Sequence, residues 1–257
     1  MNTDLLTERL EKVGWQLSAN QLEGILEDAS KNNVAYSDFL NSILMTEIEH
    51  RESTELSKRI KRARLPYFKT LEDFDFAFQP SINEKRVREV MTCRFIDNGF
   101  NVLLLGPPGV GKTHLAISIA AEAVTKGYRT SFITANDFVE ECQKAEKSGL
   151  LPRIIKRYCR SELLILDEIG YFPFDPISAN ALFQIISKRY ERGSIILTSN
   201  KSYIEWGKIF GDEVLATAIL DRLLHHATTF NIRGDSYRMR EKKRAGIQPT
   251  RVDSFQE

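Results

Sequence analysis

A glycine-rich stretch, GPPGVGKTH, spans residues 106 to 114 and carries residue types that bind phosphate. Its glycines, lysine and threonine match the pattern Gly-x-x-x-x-Gly-Lys-Ser/Thr. In this pattern backbone N–H groups curl around phosphate oxygens, the lysine reaches the β- and γ-phosphates, and the hydroxyl ligates Mg²⁺. A strand pattern before the stretch and a helix pattern after it favour this interpretation over a plain glycine-rich turn. We predict an ATP and Mg²⁺ site whose nucleotide-binding residues are Gly106, Pro107, Pro108, Gly109, Val110, Gly111, Lys112, Thr113 and His114, with Thr113 also a metal ligand.

Two acidic residues, Asp167 and Glu168, follow the apolar run LLIL. A carboxylate at the end of a strand beside a phosphate loop is placed to hold Mg²⁺, so Asp167 is the second predicted metal ligand. Glu168 would polarise the attacking water as general base. Small-molecule kinases usually lack this second acid, because their nucleophile arrives with the substrate. The pair therefore favours hydrolysis, although two acids after a strand can also form an ordinary polar turn.

Another polar group, Asn200, follows the apolar run that ends in LTS, with Thr198 and Ser199 beside it. If that run is a parallel strand, Asn200 lies at the carboxyl edge of the sheet, where ligands gather. Its amide could orient the attacking water, and we include it among the predicted catalytic residues. Capping of the next helix, over SYIEWG, is the alternative.

The elements that would position these residues alternate between apolar strand-like runs and helical patterns from about residue 83 onward. Several runs are continuously apolar, as expected of parallel strands covered on both faces. The pattern predicts an α/β fold, with a central parallel β-sheet flanked by helices. The predicted strands are NVLLLG (101–106), TSFITA (130–135), ELLILD (162–167), SIILTS (194–199) and TTFNIR (228–233).

Residues before this domain show helical periodicity, with a break at Asn32 and Asn33 and a possible N-cap at Ser37. The aromatic stretch TLEDFDFAFQPSI is too apolar for a flexible linker, and we expect it to pack on the following domain. We predict four parts: a small all-α N-terminal domain, an aromatic linker, the nucleotide-binding domain and a C-terminal tail. Their ranges are 1–65, 66–82, 83–245 and 246–257.

The overall charge excludes little, because 36 basic and 35 acidic residues leave a net charge of +1. Any surface for nucleic acid must come from local segregation of charge. The three cysteines match no zinc or redox spacing, which favours reduced thiols in the cytoplasm. No run approaches the ~18 apolar residues of a membrane-spanning helix, so we expect a cytoplasmic protein without a membrane partner.

Taken together, these motifs resemble those of AAA+ P-loop ATPases of the helicase-loader clade. The resemblance is closer to the IstB-like helper ATPases of bacterial insertion sequences and covers nearly the whole chain. The stretches that carry it are LEDFDFAFQPSI, NVLLLGPPGVGKTHLA, LLILDE, YERGSIILTSN, WGKIFGD, AILDRLLHH and IRGDSYRMR. It implies an AAA+ module behind a helical N-terminal domain, ATP hydrolysis, and a homo-oligomer with nucleotide at its subunit interfaces.

The resemblance also implies roles for two arginines. Arg222, in DRL, corresponds to the finger that reaches into the neighbouring subunit's site. Arg238, in SYR, corresponds to a sensor that contacts phosphates of its own subunit. Arg189 and Arg192 are rival candidates for the finger, whereas His225 and His226 match no catalytic pattern.

The partners implied by the resemblance are double-stranded DNA and a cognate transposase, with ATP hydrolysis as the release switch. A DnaC-type replicative helicase loader, a small-molecule kinase and a nucleotide-bound scaffold are the alternatives. No motif assigns the DNA surface. Its candidates are two basic clusters, Lys58 to Arg64 and the set Arg238, Arg240, Lys242, Lys243 and Arg244.

Overall fold

Five short apolar strands form one parallel β-sheet in the computed structural model, which describes the backbone of residues 3–244 and the side chains of residues 4–240. The strands occur in the order β2-β3-β4-β1-β5, and every neighbouring pair is parallel. All five lie where the apolar runs predict them. They are β1 (Asn101–Leu105), β2 (Thr130–Thr134), β3 (Leu163–Ile169), β4 (Ser194–Ser199) and β5 (Ala227–Asn231).

Helices cover both faces of this sheet. Alternate residues of β3 point to opposite sides, so Leu163 and Ile165 join one apolar cluster while Leu164 and Leu166 join the other. This two-sided burial explains why the runs are continuously apolar. The helices are α1 (Thr3–Lys12), α2 (Ala19–Asn32), α3 (Tyr36–Ala63), α4 (Glu84–Met91), α5 (Arg94–Asp97), α6 (Lys112–Thr125), α7 (Ala135–Lys147), α8 (Leu151–Cys159), α9 (Pro176–Arg189), α10 (Trp206–Phe210), α11 (Glu213–Leu224) and α12 (Tyr237–Arg244).

The chain divides into two compact units, residues 1–58 and 59–257. In the first unit, α2 begins with a capping box in which Ser18 accepts from the Gln21 N–H, and it ends at Asn33 in the left-handed conformation. The break predicted at Asn32 and Asn33 is therefore confirmed. The predicted N-cap at Ser37 is wrong, because α3 already begins at Tyr36.

The aromatic connector, residues 66–82, belongs to the second unit and packs on it. Its Leu71 and Ile82 are buried in the cluster formed with α4, α6 and one face of the sheet. The Phe74 ring meets His114 edge-on, with the ring centroids 5.3 Å apart. His114 thus packs beside the phosphate loop, where its Nε2 also lies 3.1 Å from the carbonyl oxygen of Thr70.

The predicted C-terminal tail, residues 246–257, lies outside the described residues. Among the residues that are described, no helix has the length and apolar character needed to cross a membrane.

Arg189, at the end of α9, is a structural residue rather than an interface residue. Its side chain is 2% exposed, and burial lowers its pKa to about 10. The guanidinium donates to four backbone carbonyls, those of Tyr158 (2.7 Å), Ser161 (2.6 Å), Glu162 (3.0 Å) and Ser194 (2.7 Å). A guanidinium held in this way cannot reach a neighbouring subunit. The suggestion that Arg189 is the arginine finger is therefore wrong.

Arg189→Ala should destabilise the fold by about 3 kcal/mol or more, because it leaves buried carbonyl oxygens without donors. Arg192→Ala is the matched control: Arg192 is exposed, and its loss should change stability by no more than about 0.5 kcal/mol. Denaturant unfolding of both variants measures the difference. Equal stability of the two variants would contradict the structural role of Arg189.

Candidate active site

A cavity opens at the carboxyl edge of the sheet and contains most of the predicted site residues. Lys112, Thr113, Glu168, Thr198 and Arg238 all line it. They come from the first turn of α6, the carboxyl ends of β3 and β4, and the first turn of α12. Aromatic and amide side chains complete the wall; among them are Tyr67, Phe74, Gln79, Tyr171 and Tyr237.

The phosphate loop packs closely against other segments, which explains why two of its positions, 109 and 111, are glycine. Gly111 has φ +96°, and a Cβ atom there would lie 2.6 Å from the Phe74 ring. Gly109 has φ +82°, and a Cβ atom there would lie 2.1 Å from Ser236 Oγ. No side chain caps the N-terminus of α6, which follows directly at Lys112. Its first N–H groups and its dipole are therefore available to an anion.

Lys112 is folded back over the loop. Its Nζ donates to the carbonyl oxygens of Gly106 at 2.7 Å and of Pro107 at 2.8 Å. Burial, together with the nearby charge of Arg238, lowers the pKa of Lys112 to about 8 against the opposing effect of Asp167. The ammonium thus lies in an unfavourable environment that phosphate oxygens would improve.

Asp167 is 2% exposed and accepts two hydroxyl hydrogen bonds on one oxygen. Thr113 Oγ1 lies 3.0 Å from Asp167 Oδ1, and Thr198 Oγ1 lies 2.5 Å from it. Burial raises the pKa of Asp167, although both hydroxyls act in the opposite direction. The two residues predicted as metal ligands, Thr113 and Asp167, are therefore in direct contact.

Glu168 points away from its buried neighbour because the strand is irregular at this position. The β3–β4 register shifts between Leu166 and Ile169, and Glu168 has a left-handed φ of +66°. Its N–H donates to Thr198 Oγ1 at 2.8 Å, and its side chain is exposed in the cavity wall. The bulge thus gives adjacent acids different surroundings, one buried and one accessible to solvent.

Thr198 is the site residue that sequence reasoning undervalued. It appeared only as a neighbour of Asn200, yet its hydroxyl contacts both Asp167 and the Glu168 backbone. The sequence offered one indication of this role: Thr198 is a hydroxyl residue near the end of β4, the strand predicted after the one that carries Asp167 and Glu168. Asn200 Oδ1 is buried beside Gly170 and has no hydrogen-bond partner among the described residues. Its role in orienting water stays a prediction.

The two arginines singled out by the resemblance occupy different places. Arg238 lines the cavity, where its charge lowers the pKa of Lys112. Arg222 lies on α11, donates to the Ala218 carbonyl at 2.9 Å, and stacks 5.0 Å from the centroid of the Phe183 ring. It is not among the residues lining its own chain's cavity.

His225 and His226 have partners outside the cavity. His225 Nδ1 contacts Tyr190 Oη at 2.5 Å, and His226 Nε2 lies 3.5 Å from Glu191 Oε1. The His226 ring also stacks on Phe100. Both histidines therefore have packing or polar partners, and the expectation that neither is catalytic stays a prediction.

A parallel sheet in the order β2-β3-β4-β1-β5, with a phosphate loop after β1 and an acidic pair on β3, defines a P-loop nucleotide-binding protein. The family described as IstB-like ATP binding protein matches residues 9–245, and the chain belongs to that family.

Its relatives include ATP-binding proteins of two insertion sequences. One, of IS5376 from Geobacillus stearothermophilus, is 51% identical over 92% of this chain and 94% of its own length. Another, of IS21 from Pseudomonas aeruginosa, is 49% identical over 93% of this chain and 90% of its own length.

Solved structures show the same fold at lower identity. DnaI matches with a TM-score of 0.55 and 19% identity, over 64% of this chain and 91% of that chain. AMPPCP-bound DnaA from Aquifex aeolicus matches with a TM-score of 0.54 and 24% identity, over 73% of this chain and 59% of that chain.

Thr198→Val should lower kcat for ATP about ten- to a hundredfold while changing nucleotide affinity only a few-fold. The variant keeps the side-chain shape but removes the hydroxyl that contacts Asp167 and holds the Glu168 backbone. Thr198→Ser, which keeps the hydroxyl, is the control and should stay near wild type. Steady-state hydrolysis and nucleotide titration separate the two effects, and a valine variant with unchanged kcat would rule out this role.

Nucleotide affinity should fall as pH rises through about 8, the pKa of Lys112 in the empty site. Below that pH the ammonium is already charged; above it, phosphate binding must also take up a proton. We expect affinity about tenfold weaker at about pH 9 than at about pH 7. In Lys112→Arg the guanidinium keeps its charge, so the slope should disappear. Calorimetry in buffers of different ionisation enthalpy measures the proton uptake directly, and its absence above pH 8 would contradict the assignment.

Proposed function

We propose that this ATPase assembles on double-stranded DNA and stimulates or targets a partner transposase, with ATP hydrolysis as the release switch. ATP closes the contacts between subunits, and hydrolysis opens them. The relatives' names support the link to insertion sequences. The positions of two arginines relative to the cavity support assembly of several copies.

The observation that carries the proposal is the separation of the two arginines. Arg238 lines the cavity of its own chain, whereas Arg222 lies on α11 against Phe183. A transferring phosphoryl group needs positive charge on several sides. If Arg222 acts on ATP, it acts on ATP bound by another copy, so the site is complete only in an assembly.

Two residues at the carboxyl edge of the sheet, one in the cavity wall and one buried behind it, fit a magnesium ion. Thr113 and Asp167 offer a hydroxyl and a carboxylate in direct contact, and oxygen ligands of this kind are those that Mg²⁺ prefers. When bound, the metal would neutralise phosphate charge. Thr113 and Asp167 would hold it, the latter through water.

The remaining steps belong to the protein's own side chains. The N-terminus of α6 and Lys112 bind the phosphates, and Arg238 adds charge at the same site. Glu168 accepts the proton of the attacking water at its carboxylate, which the bulge turns into the cavity. Hydrolysis removes the γ-phosphate and with it the charge that attracts Arg222 of the next copy.

Contact with DNA is assigned to the basic run at the end of α3, where Lys61 and Arg62 are exposed. The second cluster is less available: Arg238 lines the nucleotide cavity, and Arg240 pairs with Asp75 at 3.3 Å while stacking on Phe78. The side chains of Lys242, Lys243 and Arg244 lie outside the described residues.

The alternative of a DnaC-type helicase loader shares the ATPase core but predicts a preference for single-stranded DNA. A small-molecule kinase is disfavoured by the exposed Glu168 in the cavity wall. A scaffold that never hydrolyses ATP is disfavoured by the contact of Thr113 with Asp167, which preserves the metal-binding pair.

Mixing two inactive variants tests the proposal. Arg222→Ala keeps an intact cavity but lacks the finger; Glu168→Gln keeps the finger but lacks the base. Each alone should lose ~10³-fold or more in ATPase rate. A mixture on duplex DNA should recover measurable activity, because a Glu168→Gln subunit supplies Arg222 to the intact cavity of its neighbour.

The same measurement on single-stranded DNA separates the two functions. Recovery on duplex alone supports the transposition helper, and recovery on single strands alone supports the loader. If the mixture stays inactive although mixed DNA-bound oligomers form, Arg222 is not the finger. Arg192, which is exposed at the turn before β4, is then the next candidate.

A further inference from the structure

Three side chains that can bind a metal converge at the amino edge of the sheet, whereas the nucleotide cavity lies at the carboxyl edge. They are Glu191, His225 and His226, and one possible ligand atom from each lies within 4.8 Å of the other two. Glu191 belongs to the turn before β4, and the two histidines form the turn before β5. Because all the strands are parallel, both turns lie at the same edge of the sheet.

The two imidazole rings lie side by side although they belong to consecutive residues. Consecutive side chains of a helix or a strand normally point in different directions. Here His225 and His226 form the turn that connects α11 to β5, and their ring centroids are 4.1 Å apart. The turn thus presents two nitrogen ligands together, and imidazole is the commonest metal ligand among side chains.

The distance to the carboxylate suits a shared ion better than a direct hydrogen bond. His226 Nε2 lies 3.5 Å from Glu191 Oε1, which exceeds the roughly 2.7–3.2 Å of an N–H···O hydrogen bond. Two ligands of a tetrahedral zinc ion, with bonds of about 2.0–2.1 Å, lie about 3.4 Å apart. Glu191 and His225 are exposed, so small side-chain rotations can bring the third ligand atom to the same distance.

The backbone that carries these ligands is held in place by Asn101, which is 8% exposed at the start of β1. Its N–H donates to His226 O at 2.8 Å, and its Nδ2 donates to Leu223 O at 3.0 Å. Its Oδ1 accepts from the Ile195 N–H at 2.9 Å. One buried amide therefore connects the end of α11 and the turn before β5 to the start of β4.

Each imidazole also has a contact that restrains its ring. Tyr190 Oη lies 2.5 Å from His225 Nδ1. The His226 ring stacks on Phe100, with the ring centroids 5.0 Å apart and the planes 9° from parallel. Metal-binding histidines commonly have supporting contacts of this kind, which set the ring orientation before the ion arrives.

We propose that Glu191, His225 and His226 bind one Zn²⁺ ion, with water completing its coordination. Two imidazoles and one carboxylate form a ligand set that zinc accepts, whereas Mg²⁺ and Ca²⁺ prefer oxygen ligands alone. The ion fastens the turn after α9 to the turn after α11, the helix that carries Arg222. The inference goes beyond the proposed function and does not rest on it.

Titration of the full-length protein with Zn²⁺, in excess Mg²⁺ and without nucleotide, tests the site. The wild-type protein should bind Zn²⁺, and its unfolding temperature should rise as Zn²⁺ is added. Glu191→Gln, His225→Gln and His226→Gln should each weaken binding about a hundredfold or more. Tyr190→Phe keeps its ring but loses the contact with His225, so it should weaken binding only about tenfold.

His50→Gln is the matched control. His50 is one of the four histidines of the chain, and it lies in the first unit, where its Nε2 contacts Gln16 Oε1 at 2.9 Å. Its loss removes one imidazole and should leave Zn²⁺ affinity unchanged. Thermal unfolding without metal checks that each variant is folded. If a histidine variant does not fold, Glu191→Gln carries the test, because it replaces an exposed side chain with one of the same shape.

Two results would overturn the assignment. If the wild-type protein binds no Zn²⁺ in excess Mg²⁺, the three side chains form an ordinary solvated surface. If Zn²⁺ binds but Glu191→Gln and the two histidine variants keep the wild-type affinity, the ion lies elsewhere in the molecule. Neither result bears on ATP binding or on the mixing experiment, so the proposed function stands or fails separately.

Discussion

Burial of the Asp167 carboxylate is the constraint on which the rest of the site depends. A carboxylate that is 2% exposed must be hydrogen-bonded. Its partners come from two other segments: Thr113 from the start of α6 and Thr198 from the end of β4. Because Thr198 also accepts the Glu168 N–H, one carboxylate holds the phosphate loop, the backbone of Glu168 and the neighbouring strand in one arrangement.

A second set of contacts closes the cavity from segments that are distant in sequence. The Tyr237 N–H donates to the carbonyl oxygen of Gly109 at 3.0 Å, which ties the start of α12 to the phosphate loop. Ser81 and Gln79 connect the aromatic connector to the loop before α12. The nucleotide cavity therefore depends on parts of the chain that precede and follow the sheet, in addition to the phosphate loop itself.

Sequence reasoning predicted the sheet well because the three inner strands, β1, β3 and β4, are buried on both faces and therefore read as nearly uninterrupted apolar runs. The edge strands β2 and β5 are only partly buried and more polar. Sequence reasoning also pointed to Lys112, Thr113 and Asp167, which lie together at the carboxyl edge of the sheet because their spacing around a strand and a helix follows from local geometry. Their roles toward nucleotide and metal stay predictions. Sequence reasoning could not distinguish Arg189 from Arg222. Both are arginines on helices, and only the packing of α9 against the α8–β3 loop reveals that Arg189 binds four carbonyls. The proposed zinc site was equally invisible, because it follows from the packing of two turns that lie far apart in the chain.

The left-handed backbone of Glu168 has a consequence for how this protein could change over generations. A non-glycine residue in that conformation costs about 1 to 2 kcal/mol, which glycine would not incur. A glycine at this position would relieve the strain and remove the carboxylate in the same step. Selection for thermostability alone would therefore favour loss of the carboxylate. The strain at Glu168 is accounted for if the carboxylate acts as the base proposed above, because that function would offset the cost in stability.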